Sequence, residues 1–113
     1  MSASVFKVNG TGAAAIATSL TVPVGDTYRL LSVSCKFNVA PTTAEEFTIT
    51  LDAKAGSTYD VLLYTVDPSV TAVTDIYWQP DDAIYLEGGD AIDVAYANSD
   101  LRTYGIQITA EGV

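Results

Sequence analysis

At 113 residues, 49% hydrophobic and 17% charged, the chain has enough length and apolar content for one domain with a buried core, which excludes two ordinary domains and a disordered chain. Fourteen acidic residues against five basic ones give a net charge of -9, which repels phosphate backbones and anionic bilayers and so argues against nucleic-acid and membrane partners. A surface of that sign suits solubility or docking on a basic partner.

Residues 1–12 read as an N-terminal strand or as an arm reaching to a neighbour, because a short run to Val8 is followed by Asn9-Gly10-Thr11-Gly12. The Asn9-Gly10-Thr11 triplet matches a glycosylation acceptor pattern, which has meaning only in a secreted chain. Ala13 to Ala17 has helix propensity, but Gly12 and Pro23 bound it and Thr18, Thr21 and Val22 follow it. Ile16, Thr18, Leu20 and Val22 instead fit a weakly patterned strand. From Arg29 to Val39 the alternation is strong, and it predicts Leu31, Val33, Cys35, Phe37 and Val39 on one face, with Ser32, Ser34, Lys36 and Asn38 on the other. Phe47, Ile49 and Leu51 alternate with Thr48, Thr50 and Asp52 in the same way.

The run Val61-Leu62-Leu63-Tyr64, continued at Val66, is apolar on both faces. Such a run is a central strand or a strand covered by a neighbouring subunit, which makes Leu62 and Tyr64 candidate interface residues. Tyr77, Trp78 and Tyr85 lie in two short aromatic stretches beside turns. Residues of these types anchor subunit interfaces, and exposed ones can stack on sugar rings. Ile92, Val94 and Tyr96, then Tyr104, Ile106 and Ile108, complete the alternating segments. Gly105, inside the last of them, predicts a bulge or a close backbone approach.

All four prolines, Pro23, Pro41, Pro68 and Pro80, fall between these segments, where a residue without an N–H does no harm to a ladder. Gly25-Asp26, Gly56-Ser57 and Gly88-Gly89-Asp90 read as turns. Eight or nine short strands and no helical period predict an all-β fold, an antiparallel β-sandwich of jelly-roll type, over 1–113 as one domain. An immunoglobulin-like Greek key is the alternative.

The chemistry is mostly negative. Without histidine there is no Ser-His-Asp or Cys-His arrangement, and the commonest general base and metal ligand are missing. The lone Cys35 alternates with apolar residues and reads as a small core hydrophobe. Asp81, Asp82, Glu87 and Asp90 form the densest carboxylate group; solvated turn residues are the plain reading and a calcium site the alternative. The expectation is a non-enzymatic protein with no catalytic residue, no cofactor and no metal. No secretion signal is recognisable near Lys7, and no apolar stretch approaches a bilayer span, so synthesis in the cytoplasm is expected.

The segments GDTYRLLSVSCKFNVAPTTAEEFTITLD, YDVLLYTVDPS, TDIYWQPDD and YLEGGDAIDVAYANSDLRTYGIQIT, together spanning most of Gly25 to Ala110, resemble small structural proteins encoded among the virion genes of tailed bacteriophages. The resemblance implies a head decoration (cement) or accessory capsid protein, of β-sandwich or jelly-roll type and trimeric. Its implied partners are itself and the major capsid or another virion protein, and its implied place is the virion. It carries no defined site motif, so no functional residue follows from it. The rival expectation is a carbohydrate-binding module of a tail or fibre that uses Tyr77, Trp78 or Tyr85.

Overall fold

The computed structural model describes residues 4–113, so the part of the strand-or-arm expectation that falls on residues 1–3 lies outside the described residues. Nine strands follow in order: β1 (Val5–Gly12), β2 (Ile16–Thr21), β3 (Thr27–Phe37), β4 (Phe47–Asp52), β5 (Val61–Val66), β6 (Asp75–Trp78), β7 (Tyr85–Glu87), β8 (Ala91–Tyr96) and β9 (Tyr104–Gly112). A single 3-10 turn, Ser57–Tyr59, interrupts the β4–β5 connection. The Ala13 to Ala17 stretch forms no helix; β2 starts within it at Ile16.

The pairings are nested. β4 pairs with β5, β3 with β6 and β7, β2 with β8, and β1 with β9, all antiparallel. The chain is thus one long hairpin, folded at residues 53–60 and rolled up. Two further pairings, β3 with β9 and β4 with β8, close it into two sheets. One sheet has the order β1-β9-β3-β6, with β7 also on β3, and the other has the order β2-β8-β4-β5. This is the jelly-roll arrangement of an antiparallel sandwich.

Alternation supplies the core between the sheets. Val33, Phe47, Ile49, Leu86, Ile92, Ile108 and Ala110 are wholly buried. Each large apolar side chain there contributes about 1.5–3 kcal/mol relative to an exposed one. Phe37 and Phe47 pack tilted against Tyr96, with ring centroids at 5.5 and 6.3 Å. Cys35 belongs to this core, and burial pushes its thiol up to about 12.

In β3 the phase of the alternation differs from the expectation. The register with β9 passes from Leu30 opposite Ala110 to Ser32 opposite Thr109, which leaves Leu31 as an extra, bulged residue. Tyr28 and Leu30 therefore join Val33, Cys35 and Phe37 in the core. Leu31 is only half-buried, and Val39 lies beyond the strand, exposed. Gly105 also differs. Its register is continuous, opposite Thr11 on one side and Lys36 on the other. A Cβ built there would meet no atom within 4 Å, so it marks neither a bulge nor a close approach.

The nested pairing gathers four connections, 13–15, 38–46, 67–74 and 97–103, at one end of the sandwich. Side-chain hydrogen bonds lock them. The buried Asn98 donates to the Ala14 and Arg102 carbonyls at 2.8 and 3.0 Å and accepts from the Arg102 N–H at 3.0 Å. Asp100 accepts from the N–H groups of Thr42 and Thr43, each at 2.8 Å. These bonds, together with one from the Thr43 hydroxyl, hold the Asp100 carboxyl down to about 2.

Candidate functional site

The five residues singled out in the sequence separate into four places. Alternation sends the neighbours Tyr77 and Trp78 to opposite faces of β6. Trp78 stands opposite the buried Val33 and points inward, whereas Tyr77 stands opposite Ser34 and is 65% exposed. Tyr64 lies opposite the buried Ile49, and its ring stacks on Trp78 at 5.9 Å. This aromatic pair spans the two sheets and closes the sandwich along its β5–β6 side. Leu62 stands opposite Thr50 on the outer face, 56% exposed. Tyr85, on β7 opposite Arg29, is exposed at the far end of the other sheet.

β5 pairs only with β4, so its other edge presents free backbone N–H and C=O groups. It is not the central strand that a doubly apolar run allowed. Edge strands are commonly protected by charge or by small polar residues. β1 carries Lys7, β6 carries Asp75 and β7 carries Glu87, while β2 shows Ala17, Ser19 and Thr21 to solvent. β5 has no charged residue and leaves Val61 and Leu62 exposed, with Tyr59 beside them. Its one protective device is a bulge at Leu63, between the Ile49–Tyr64 and Thr50–Leu62 pairs.

A second feature lies on the outer face of the β1-β9-β3-β6 sheet. Two adjacent rows of side chains cross its four strands. One row runs Asn9, Gln107, Ser34, Tyr77, and the next runs Thr11, Gly105, Lys36, Asp75. Because Ser34 is short and Gly105 has no side chain, the rows leave between them a shallow, open groove of about 410 Å³. The Gln107 side-chain NH₂ donates to Asn9 Oδ1 at 3.0 Å, which fixes the two amides side by side. Alternation in β9 and β1 was readable in the sequence, but the juxtaposition of these rows required the register. A wider hollow of about 690 Å³ lies beside Tyr85, lined also by Phe6, Tyr28, Arg29 and Glu111. Arg29 there is committed to an ion pair with Glu111, and Phe6 to a stack on Tyr28 at 4.5 Å.

Charge is unevenly distributed. The outer face bearing the groove holds Lys7, Arg29 and Lys36 against Asp75, Glu87 and Glu111, and is neutral. On the opposite outer face Asp52 and Asp93 are neighbours on β4 and β8. A hydrogen bond to Asp93 and the charges of Asp93, Asp60 and Asp90 raise the Asp52 carboxyl above its ordinary value. The other three carboxylates have donors of their own. Asp93 accepts from the Ser19 hydroxyl at 2.6 Å, Asp60 from the Ala53 N–H at 2.9 Å, and Asp90 from the Lys54 and Glu87 N–H groups, both at 3.0 Å.

Asp90 is therefore a turn-fastening residue, while Asp81 and Asp82 are exposed on the β6–β7 connection. Among the described residues no group of three or more carboxylates or thiols is arranged to hold a metal ion. No helix among them is long and apolar enough to cross a membrane. No protein-family model and no curated protein matches the chain.

Proposed function

We propose that this is a non-enzymatic structural protein of a virion, a capsid decoration or accessory protein. In this reading copies of the chain associate as a homotrimer and seat on the major capsid or another virion protein. The observation that carries it is β5, an uncharged edge strand exposing Val61 and Leu62 with an unpaired backbone ladder. A strand of that kind gains both hydrogen bonds and apolar burial when a second copy covers it. The jelly-roll order, an architecture that occurs in viral capsid domains, and the acidic surface, whose charge would keep a particle dispersed, support the same reading.

Light scattering over a dilution series is the test. The expected result is three times the 11.9 kDa chain mass, falling to one chain in Leu62→Lys, whose circular dichroism spectrum stays that of the wild type because the site is exposed. A wild-type chain that is monomeric at every concentration overturns self-assembly. An antibody against the chain that fails to label intact particles overturns the virion assignment.

A further inference from the structure

The groove floored by Gly105 and Ser34 has a composition that packing does not explain. β9 is a central strand, flanked by β1 and β3, and glycine in a strand interior weakens it by about 0.5–1 kcal/mol relative to alanine. The usual reasons for a strand glycine are absent here. The φ of Gly105 is not in the left-handed region, and its missing Cβ faces open space. Any L residue fits that backbone, and any larger side chain fills the groove. A position that gives up stability without a packing reason is where function is expected to reside.

We propose that this groove binds a short, neutral oligosaccharide. The walls combine two chemistries that a sugar ring requires together. Tyr77 offers an exposed aromatic face at one end, against which the C–H face of a pyranose stacks. Asn9, Gln107, Lys36 and Asp75 offer donors and acceptors for its hydroxyl groups. The mutual bond of the two amides still leaves the Asn9 NH₂ and the Gln107 carbonyl free and adjacent, a donor–acceptor pair matched to vicinal hydroxyls. Lys36 and Asp75 are register partners with no salt bridge between them among the described residues, so both keep their hydrogen-bonding capacity while their charges cancel.

That neutrality selects the class of ligand. An anionic ligand would meet Asp75 and a chain of net charge -9. An apolar peptide would bury two amides and two charges without partners, an unfavourable exchange. The groove crosses four strands, three spacings of about 4.8 Å, a length suited to a short oligosaccharide rather than a single ring. Its volume lies within the ordinary range of ligand sites, about 300–1,000 Å³. Of the aromatics considered for sugar binding only Tyr77 takes part, since Trp78 is turned inward and Tyr85 lies at the other hollow.

The site lies on a different face from β5 and is independent of self-assembly. The test is a glycan array read with the wild type, Gly105→Val, Tyr77→Ala and Leu62→Lys, followed by titration calorimetry on any neutral glycan retained. The expected result is binding by the wild type and by Leu62→Lys. Gly105→Val and Tyr77→Ala should each lose about tenfold or more in affinity, and Gly105→Val should melt no lower than the wild type. An array blank for the wild type, binding confined to acidic glycans, or a Gly105→Val protein that binds as well as the wild type each overturns the proposal.

Discussion

Tyr96 is 3% exposed, and its hydroxyl is among the few buried polar atoms without a hydrogen-bond partner. Burial, reinforced by the negative charges of Glu45, Asp100 and Asp67, pushes this phenol up to about 12. The ring packs with Phe37 and Phe47, so the apolar part of the residue is well used and the oxygen is not. Removing a buried polar atom that has lost its water without gaining a partner relieves desolvation. Tyr96→Phe is therefore expected to raise stability by about 1 kcal/mol, read from the urea midpoint at neutral pH. In the wild type the raised phenol contributes stability that is lost as pH climbs from about 10 toward about 12. The variant should lack that alkaline loss. Asn98 shows the opposite condition: it is equally buried, but its side chain is fully engaged, with two bonds to Arg102 within its own loop and one to Ala14 in the 13–15 connection.

Among the strands, β3 shows how far alternation can be read. The pattern from Val33 to Phe37 was legible, but no residue type announces which position of Arg29-Leu30-Leu31-Ser32 is the extra one, since both leucines suit a core. The pairing with β9 decides it, by setting Leu30 against Ala110 and Ser32 against Thr109. Deleting Leu31 would leave Tyr28, Leu30, Val33 and Cys35 in unbroken alternation. The shortened chain is expected to fold with its sheet intact and a modestly lower melting temperature. Deleting Ser34 instead sets Val33 and Cys35 side by side and turns one half of the strand outward, so that chain should fail to fold. Circular dichroism melts of the two deletions check this. Similar reasoning explains the rest of the site. That Tyr77 and Trp78 face opposite ways follows from their adjacency, whereas which of them faces out depends on Ser34 and Val33 across the ladder. The doubly apolar β5 was legible as exceptional, but its position at a sheet edge comes from topology.

For the whole molecule the decisive asymmetry is electrostatic. One outer face is neutral, and eleven acidic residues with only two basic ones are left for the rest of the chain. Asp52 bears the consequence. Because its folded-state pKa is raised, the protonated form favours folding. Its contribution is present below the ordinary 3.8 and is lost as pH rises through the raised value. Asp52→Asn keeps a hydrogen-bonding group beside Asp93 and removes one negative charge. It should raise the melting temperature at pH 7, and the advantage should disappear as the pH is lowered into the carboxylate range, as calorimetry over pH would show. Asp100 and Asp67 have the reverse sign. Their pKa values are lowered by hydrogen bonds, and the stability they lend fails only on further acidification, toward about 2 for Asp100.

The outermost rung of the nested hairpin sets Val5 opposite Glu111, and the Gly112 N–H donates to the Ser4 carbonyl at 2.8 Å. Ser4 and Val113, the two ends of the described residues, therefore lie at a single corner of the sandwich. That corner lies at the end opposite the locked loops 38–46 and 97–103. A short linker across it, with the backbone reopened in the exposed 53–60 turn, would give a circular permutant with every ladder retained. The same corner offers a place to attach cargo without approaching either β5 or the Gly105 groove.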